Sequence, residues 1–204
     1  MTPAISPSDL PLILPLIILT VSTLVVMFQT AVRRHHATAA LLTVLGLLAA
    51  LASVFAVMAS PQYQGPHLIT PLLQLDGWVL YGWLLLLLVA LGVSGLCWLY
   101  WRDSARPMEE LYILLLCASL GACVLIASRH FAALFLGLEL MSIALIAMLG
   151  YPLASEGDQK RPLEAALKYL VLSAVSSAVM LFGLALLYAE TGSMDFAAVA
   201  GHLT

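Results

Sequence analysis

The sequence predicts an all-α protein, a polytopic bundle of about six transmembrane helices. Three observations carry this. First, 63% of the 204 residues are hydrophobic and only 9% are charged, where a soluble domain has about 25% charged residues. Second, the mean hydropathy of +1.05 is more apolar surface than a soluble sphere can hide, so lipid is the expected solvent. Third, the apolar residues fall into six runs of about twenty, the length that crosses a hydrocarbon core as a helix. The same composition excludes disorder, whose signature is low hydrophobicity and high charge. It also excludes nucleic-acid binding: 8 Lys and Arg against 11 Asp and Glu leave no basic field for phosphates.

Each run has its own end signals. Residues 1–9 hold no Lys or Arg and so lack the basic start of a secretory signal, which makes the first run, about 10–32, a retained span. It stops at Arg33-Arg34-His35-His36. The second run, about 38–59, stops at Ser60-Pro61, and the gap to 77 holds three prolines and Asp76. The third run, about 78–100, stops at Arg102-Asp103. The fourth, about 110–128, follows the acid pair Glu109-Glu110 and stops at Arg129-His130. The fifth, about 131–152, ends near Pro152. The sixth, about 163–188, follows Pro162, whose missing N–H is harmless in a first helical turn, and stops at Glu190-Thr191-Gly192. Residues 191–204 read as an amphipathic tail or the start of a loop. These runs are too long and too uniform for the ten-residue alternation of a membrane barrel. Residues 1–204 therefore read as one transmembrane domain.

Basic residues in the loops set the expected orientation. One side has Arg33, Arg34, Arg102, Arg106, Lys160 and Arg161, the other only Arg129. That bias puts the first side in the cytoplasm and the N-terminus and tail outside. Aromatic belts are expected at Trp78, Tyr81 and Trp83 on the outer side and at Trp98, Tyr100 and Trp101 on the inner side.

Seven of the eight basic residues belong to loops; the eighth, Lys168, lies inside the sixth run. Glu139 lies inside the fifth, about 12 Å from its outer end and 18 Å from its inner end at 1.5 Å per residue. A charge at that depth costs at least about 2.5–3.5 kcal/mol, so it calls for a polar partner or a water path. A carboxyl poised between charged and neutral is a good proton carrier; structural glue between helices is the plainer role for the same residue. Lys168 lies about 9 Å from the inner end of its run, where it can snorkel to the interface or, partly desolvated, exchange protons. Glu164, four residues earlier, is placed to pair with it and so modulate its charge. Ser142, Ser173, Ser176 and Ser177, with Gly137, Ala174 and Ala178, fit either a hydrated path or ordinary close packing.

The remaining polar residues carry plainer expectations. His35, His36 and His130 sit at span ends as solvated or lipid-facing groups, and Asp76, Glu109 and Glu110 as interfacial ones. Cys97, Cys117 and Cys123 are small apolar fillers with no C-x-x-C spacing. No phosphate-binding loop, dinucleotide fingerprint, nucleophile elbow or metal-spaced cluster occurs, so neither a metal nor a cofactor site is expected in the chain.

Two segments carry a resemblance: FAALFLGLELMSIALIAMLGY at 131–151, and RPLEAALKYLVLSAVSSAVMLFGLALLYAETG from Arg161. They closely resemble the antiporter-like membrane subunits of proton-pumping NADH:quinone oxidoreductase (respiratory complex I), of the subunit N type, and the resemblance extends over essentially the whole chain. It implies a multi-pass protein of the bacterial inner membrane and other membrane-arm subunits as partners. It implies that Glu139 is the central acid and Lys168 the span-six lysine of a charged chain that moves protons. NADH, flavin, iron–sulfur clusters and quinone are then handled by other subunits. Members of the family have about fourteen spans around two inverted five-helix repeats, each with a broken helix. Six spans correspond to the first part of that fold, so the expectation is a fragment, or a chain completed by another. A subunit of a multisubunit cation/proton antiporter and a non-transporting membrane scaffold are the rival roles.

Overall fold

A computed structural model describes residues 10–60, 63, 65–102, 108–151 and 160–203. Its elements run α1 (Leu10–Val32), α2 (His36–Ala59), β1 (His67–Leu68), β2 (Gln74–Leu75), α3 (Gly77–Trp101), α4 (Glu109–Ala127), α5 (Phe131–Gly150), α6 (Lys160–Thr191) and α7 (Phe196–Leu203). Helices α1 to α6 are each long and apolar enough to cross a membrane. The sixth is longer than its apolar run. At 32 residues it measures about 48 Å, against about 30 Å for the hydrocarbon core; its ends, with Arg161 and Glu190, extend the helix into the polar zones. The gap after α2 holds a small antiparallel ladder, His67 opposite Leu75 and Leu68 opposite Gln74. The tail is the short helix α7. Residues 1–9, Arg106 and the side chain of Lys160 lie outside the described residues, and with them part of the charge count.

Helices α1 to α4 form the body. Its core is Leu12, Leu19 and Val26 from α1, Leu47 and Val54 from α2, Leu80, Trp83 and Leu87 from α3, and Tyr112 and Leu116 from α4. Trp83 donates from its indole N–H to the carbonyl of Cys123, 2.9 Å away, so a full-size ring is buried without an orphan donor. Helix α5 docks on α4, and among the described residues α6 docks chiefly on α5, with a smaller contact to α7.

The α4–α5 contact is backbone on backbone. A Cβ at Gly121 would stand 2.6 Å from the Met141 nitrogen, and one at Gly137 would stand 2.7 Å from the Leu125 nitrogen. Only hydrogen fits at either place, the small-residue packing that holds helices together in lipid. Two of the expected belt residues are not in a belt. Trp83 and Trp101 are buried, because their helical phase turns them inward, and Trp98 stacks on His36; Trp78, Tyr81 and Tyr100 do face outward.

Candidate functional site

Glu139 projects from α5 into the seam with α6, where it is half-buried and accepts a hydrogen bond from the Ser177 hydroxyl. One turn on, the Ser142 and Ser173 hydroxyls bond at 2.9 Å. The register is antiparallel: 139 faces 177 and 142 faces 173. Gly137, two residues before the acid, is about 200° away at 100° per residue. Helix α5 thus shows glycine to α4 and its carboxylate to α6. The hydroxyls flank the acid with neutral groups that can both donate and accept.

Lys168 is elsewhere. It lies nine residues before Ser177, which is half a turn round α6 and about 13 Å along it. Its side chain is 73% exposed on the outward face, paired with Glu164 as the i, i+4 spacing foretells. The structure therefore places Glu139 and Lys168 on opposite sides of one helix. Beside Lys168 runs an open apolar groove formed by Leu167, Val171, Leu172 and Val175.

The basic end of the bundle corrects the sequence expectation. Glu109 is only 1% exposed, and Glu110 is shared by Arg34 at 3.1 Å and by the Tyr151 hydroxyl at 2.6 Å. These contacts tie the α1–α2 turn, the start of α4 and the end of α5 to one side, as the alternating spans require. Burial, and then the proton it donates to Glu110, push the Tyr151 phenol up from its ordinary value. His36, expected as solvated or lipid-facing, stacks on Trp98 with centroids 5.3 Å apart. Its Nε2 is 3.4 Å from the Tyr112 hydroxyl. No run-length argument finds Glu109, because the helices that cover it come from elsewhere in the chain.

At the opposite end, Arg129 bonds Asp195 at 2.9 Å and ties the α4–α5 turn to the start of α7. Backbone bonds reinforce this clasp: Arg129 N–H to Leu72, Phe131 N–H to Met194 and Phe196 N–H to Arg129. Partial burial works to raise the Asp195 carboxyl, but the N–H groups of Ala198 and Ala197 and the Arg129 guanidinium outweigh it and hold it below its ordinary value. Asp76 and His130, expected at the interface, cap α3 and α5 through the N–H groups of Val79 and Ala132. Among the described residues, no three of His, Cys, Asp and Glu come together as a metal site.

Residues 128–203, which include Glu139, Lys168 and Ser177, match the family described as NADH:quinone oxidoreductase/Mrp antiporter, TM. The chain is 44% identical over 189 residues to NADH-quinone oxidoreductase subunit N of Chromohalobacter salexigens. That match takes in 93% of this chain and 38% of the relative, so the chain spans well under half of the relative's length. A chain of respiratory complex I from Thermus thermophilus with bound Aureothin superposes with a TM-score of 0.72 at 31% identity, over 93% of this chain and 42% of that one. A chain of the membrane-bound sulfane sulfur reductase, an archaeal respiratory membrane complex, has the same fold, with a TM-score of 0.76 at 21% identity over 94% of this chain and 39% of that one. The six-helix membrane fold, the matched α5–α6 segment and the relatives together show that this chain is similar to part of the membrane subunits described as NADH:quinone oxidoreductase/Mrp antiporter, TM.

Proposed function

We propose that the chain serves as a membrane-arm component of a proton-pumping NADH:quinone oxidoreductase, with Glu139 as its proton carrier. One observation carries this: a mid-helix carboxylate, half-buried in a helix seam and held by a serine hydroxyl, inside the segment that matches the family. A carboxylate so placed costs several kcal/mol in hydrocarbon on most scales, and a hydroxyl neighbour that both donates and accepts serves either protonation state.

Lys168 is the second station, with Glu164 as its ion-pair partner. Because α6 stands between the two sites, the proton does not pass directly from one to the other. The connection is made by protein or ordered water around the outward face of α6, the face on which other membrane-arm subunits or further helices pack. The name of the 44%-identical relative supports electron transfer from NADH to quinone as the driving reaction; in this reading NADH, flavin, iron–sulfur clusters and quinone are held by other subunits. The bacterial inner membrane is the setting, with the Arg33–Arg34 end in the cytoplasm and the N-terminus outside by the charge bias.

The test is Glu139→Gln in the whole complex. We expect at least about a hundredfold loss of coupled proton transfer, the usual worth of a positioned proton-transfer group, with assembly intact. Wild-type pumping at normal assembly would overturn the proposal. The family description also names Mrp antiporters; sodium-dependent proton exchange by vesicles in the absence of NADH would favour that second role.

A further inference from the structure

The basic end holds a second titratable site that the mid-membrane carboxylate does not use. Glu109 opens α4, and its Oε2 is buried with no hydrogen-bond partner among the described residues. The Nδ1 of His36, which opens α2, is buried in the same condition. The starts of the two helices meet at Tyr112, three residues on from Glu109; the Tyr112 hydroxyl lies 3.4 Å from the His36 Nε2. A third orphan, the Oε1 of Gln29, lies at the same end; the amide's nitrogen is taken by the Arg33 carbonyl and the Thr38 hydroxyl, both at 2.7 Å.

Two of these three atoms can only accept, and the third accepts or donates with the tautomer. A buried acceptor without a donor is unfavourable, and more so when charged. The Glu109 and Gln29 oxygens are thus buried without a donor among the described residues. A proton taken up between Glu109 and His36, with or without a water to bridge them, supplies what is missing. The neighbourhood opens outward, because the next residue, Glu110, pairs with an Arg34 side chain that is 65% exposed. Glu139 lies eleven residues from the end of α5 at this side, about 16 Å deeper.

We infer that Glu109 and His36 form a proton-uptake site at the Arg33–Arg34 end of the bundle, taking up a proton from the aqueous side before it reaches the membrane interior. This rests on the proton-translocating role proposed above. Among the described residues, the other titratable groups at this end include Arg33, Arg34, His35, Cys97, Tyr100, Arg102, Glu110, Tyr112, Tyr151 and Arg161. Of these, Tyr112 bonds His36, while Arg34 and Tyr151 are engaged by Glu110. That leaves Glu109 and His36 with orphan atoms turned inward.

The experiment measures the initial rate of NADH-driven proton transfer against external pH in vesicles holding the assembled complex, normalised to electron transfer. An uptake site matters most where protons are scarce. Glu109→Gln and His36→Gln should each move the alkaline limb to lower pH by about one unit, the scale on which a single neighbouring charge changes proton affinity. The double variant should move it no further, because the pair acts as one unit. A wild-type profile for either single variant at normal assembly overturns the inference. If Glu109→Gln does not assemble, His36→Gln and Glu109→Asp carry the test, and no shift in His36→Gln is then decisive against it. Glu139→Gln runs in parallel. If that variant also pumps normally, the proposed function fails; if it does not pump while the Glu109 and His36 variants keep the wild-type profile, only the uptake site fails.

Discussion

Helices α1 to α4 and the α5–α6 pair are built from the same kind of apolar sequence and pack in opposite ways. The body buries large side chains around Trp83 and Tyr112 and closes on itself. The pair buries little: among the described side chains of α6, only Ala166 and Thr191 are buried. Its contacts with α5 include hydroxyls and a carboxylate rather than interlocking leucines alone. In lipid this division has a physical basis. Apolar side chains gain little by leaving lipid for protein, so close fit and hydrogen bonds decide what associates. The body is held by fit, and the pair by a few polar contacts beside an exposed outward face.

Substitutions can break that contrast in a graded way. The largest effect should come from Gly121→Leu or Gly137→Leu, which force side chains into backbone. We expect loss of stable assembly, seen as a missing complex on a native gel, while Gly183→Leu on α6, with open space around it, is tolerated. Next is Trp83→Phe, which removes the indole hydrogen bond to the Cys123 carbonyl and should cost about 0.5–1.5 kcal/mol; a denaturation midpoint in detergent reads it. Smaller is Arg129→Ala, which removes a partly exposed ion pair worth about 1 kcal/mol or less, and protease cleavage around α7 reports it. Asp195 is held below its ordinary carboxyl value. Its share of this clasp is therefore complete above the ordinary carboxylate range and disappears as pH falls through the lower, folded-state value. Protection of residues 196–203 from hydrogen exchange should follow that direction. The smallest effect on stability should be Lys168→Met, since the side chain touches mainly Glu164 on its own helix; a large loss of stability in that variant would show that the outward face is not as open as the structure has it.

The six helices were legible because run length and loop charges are local properties. Helix ends agree with the apolar runs to within about three residues, and the excess at α6 follows from charged ends that continue the helix beyond the lipid. Glu139 was legible from depth alone. Its separation from Lys168 was not: the nine-residue spacing becomes informative only once Ser177 is known to face the acid. Glu109 escaped for the converse reason. An acid at a helix start looks solvated in the sequence, and what covers it comes from helices distant in the chain. The ring of His36 was missed in the same way, being buried by Trp98 and Tyr112, each more than sixty residues on.

The contact of Gly121 with Gly137 has a mechanical consequence. With backbone touching backbone, α4 and α5 form one plank that can neither slide nor roll without collision. Any movement that accompanies a change of charge at Glu139 is therefore taken up on its other side, by the serine rotors and by α6. The same helix carries Lys168 on its far face, so a displacement that starts at the acid arrives at the lysine through a single rigid rod.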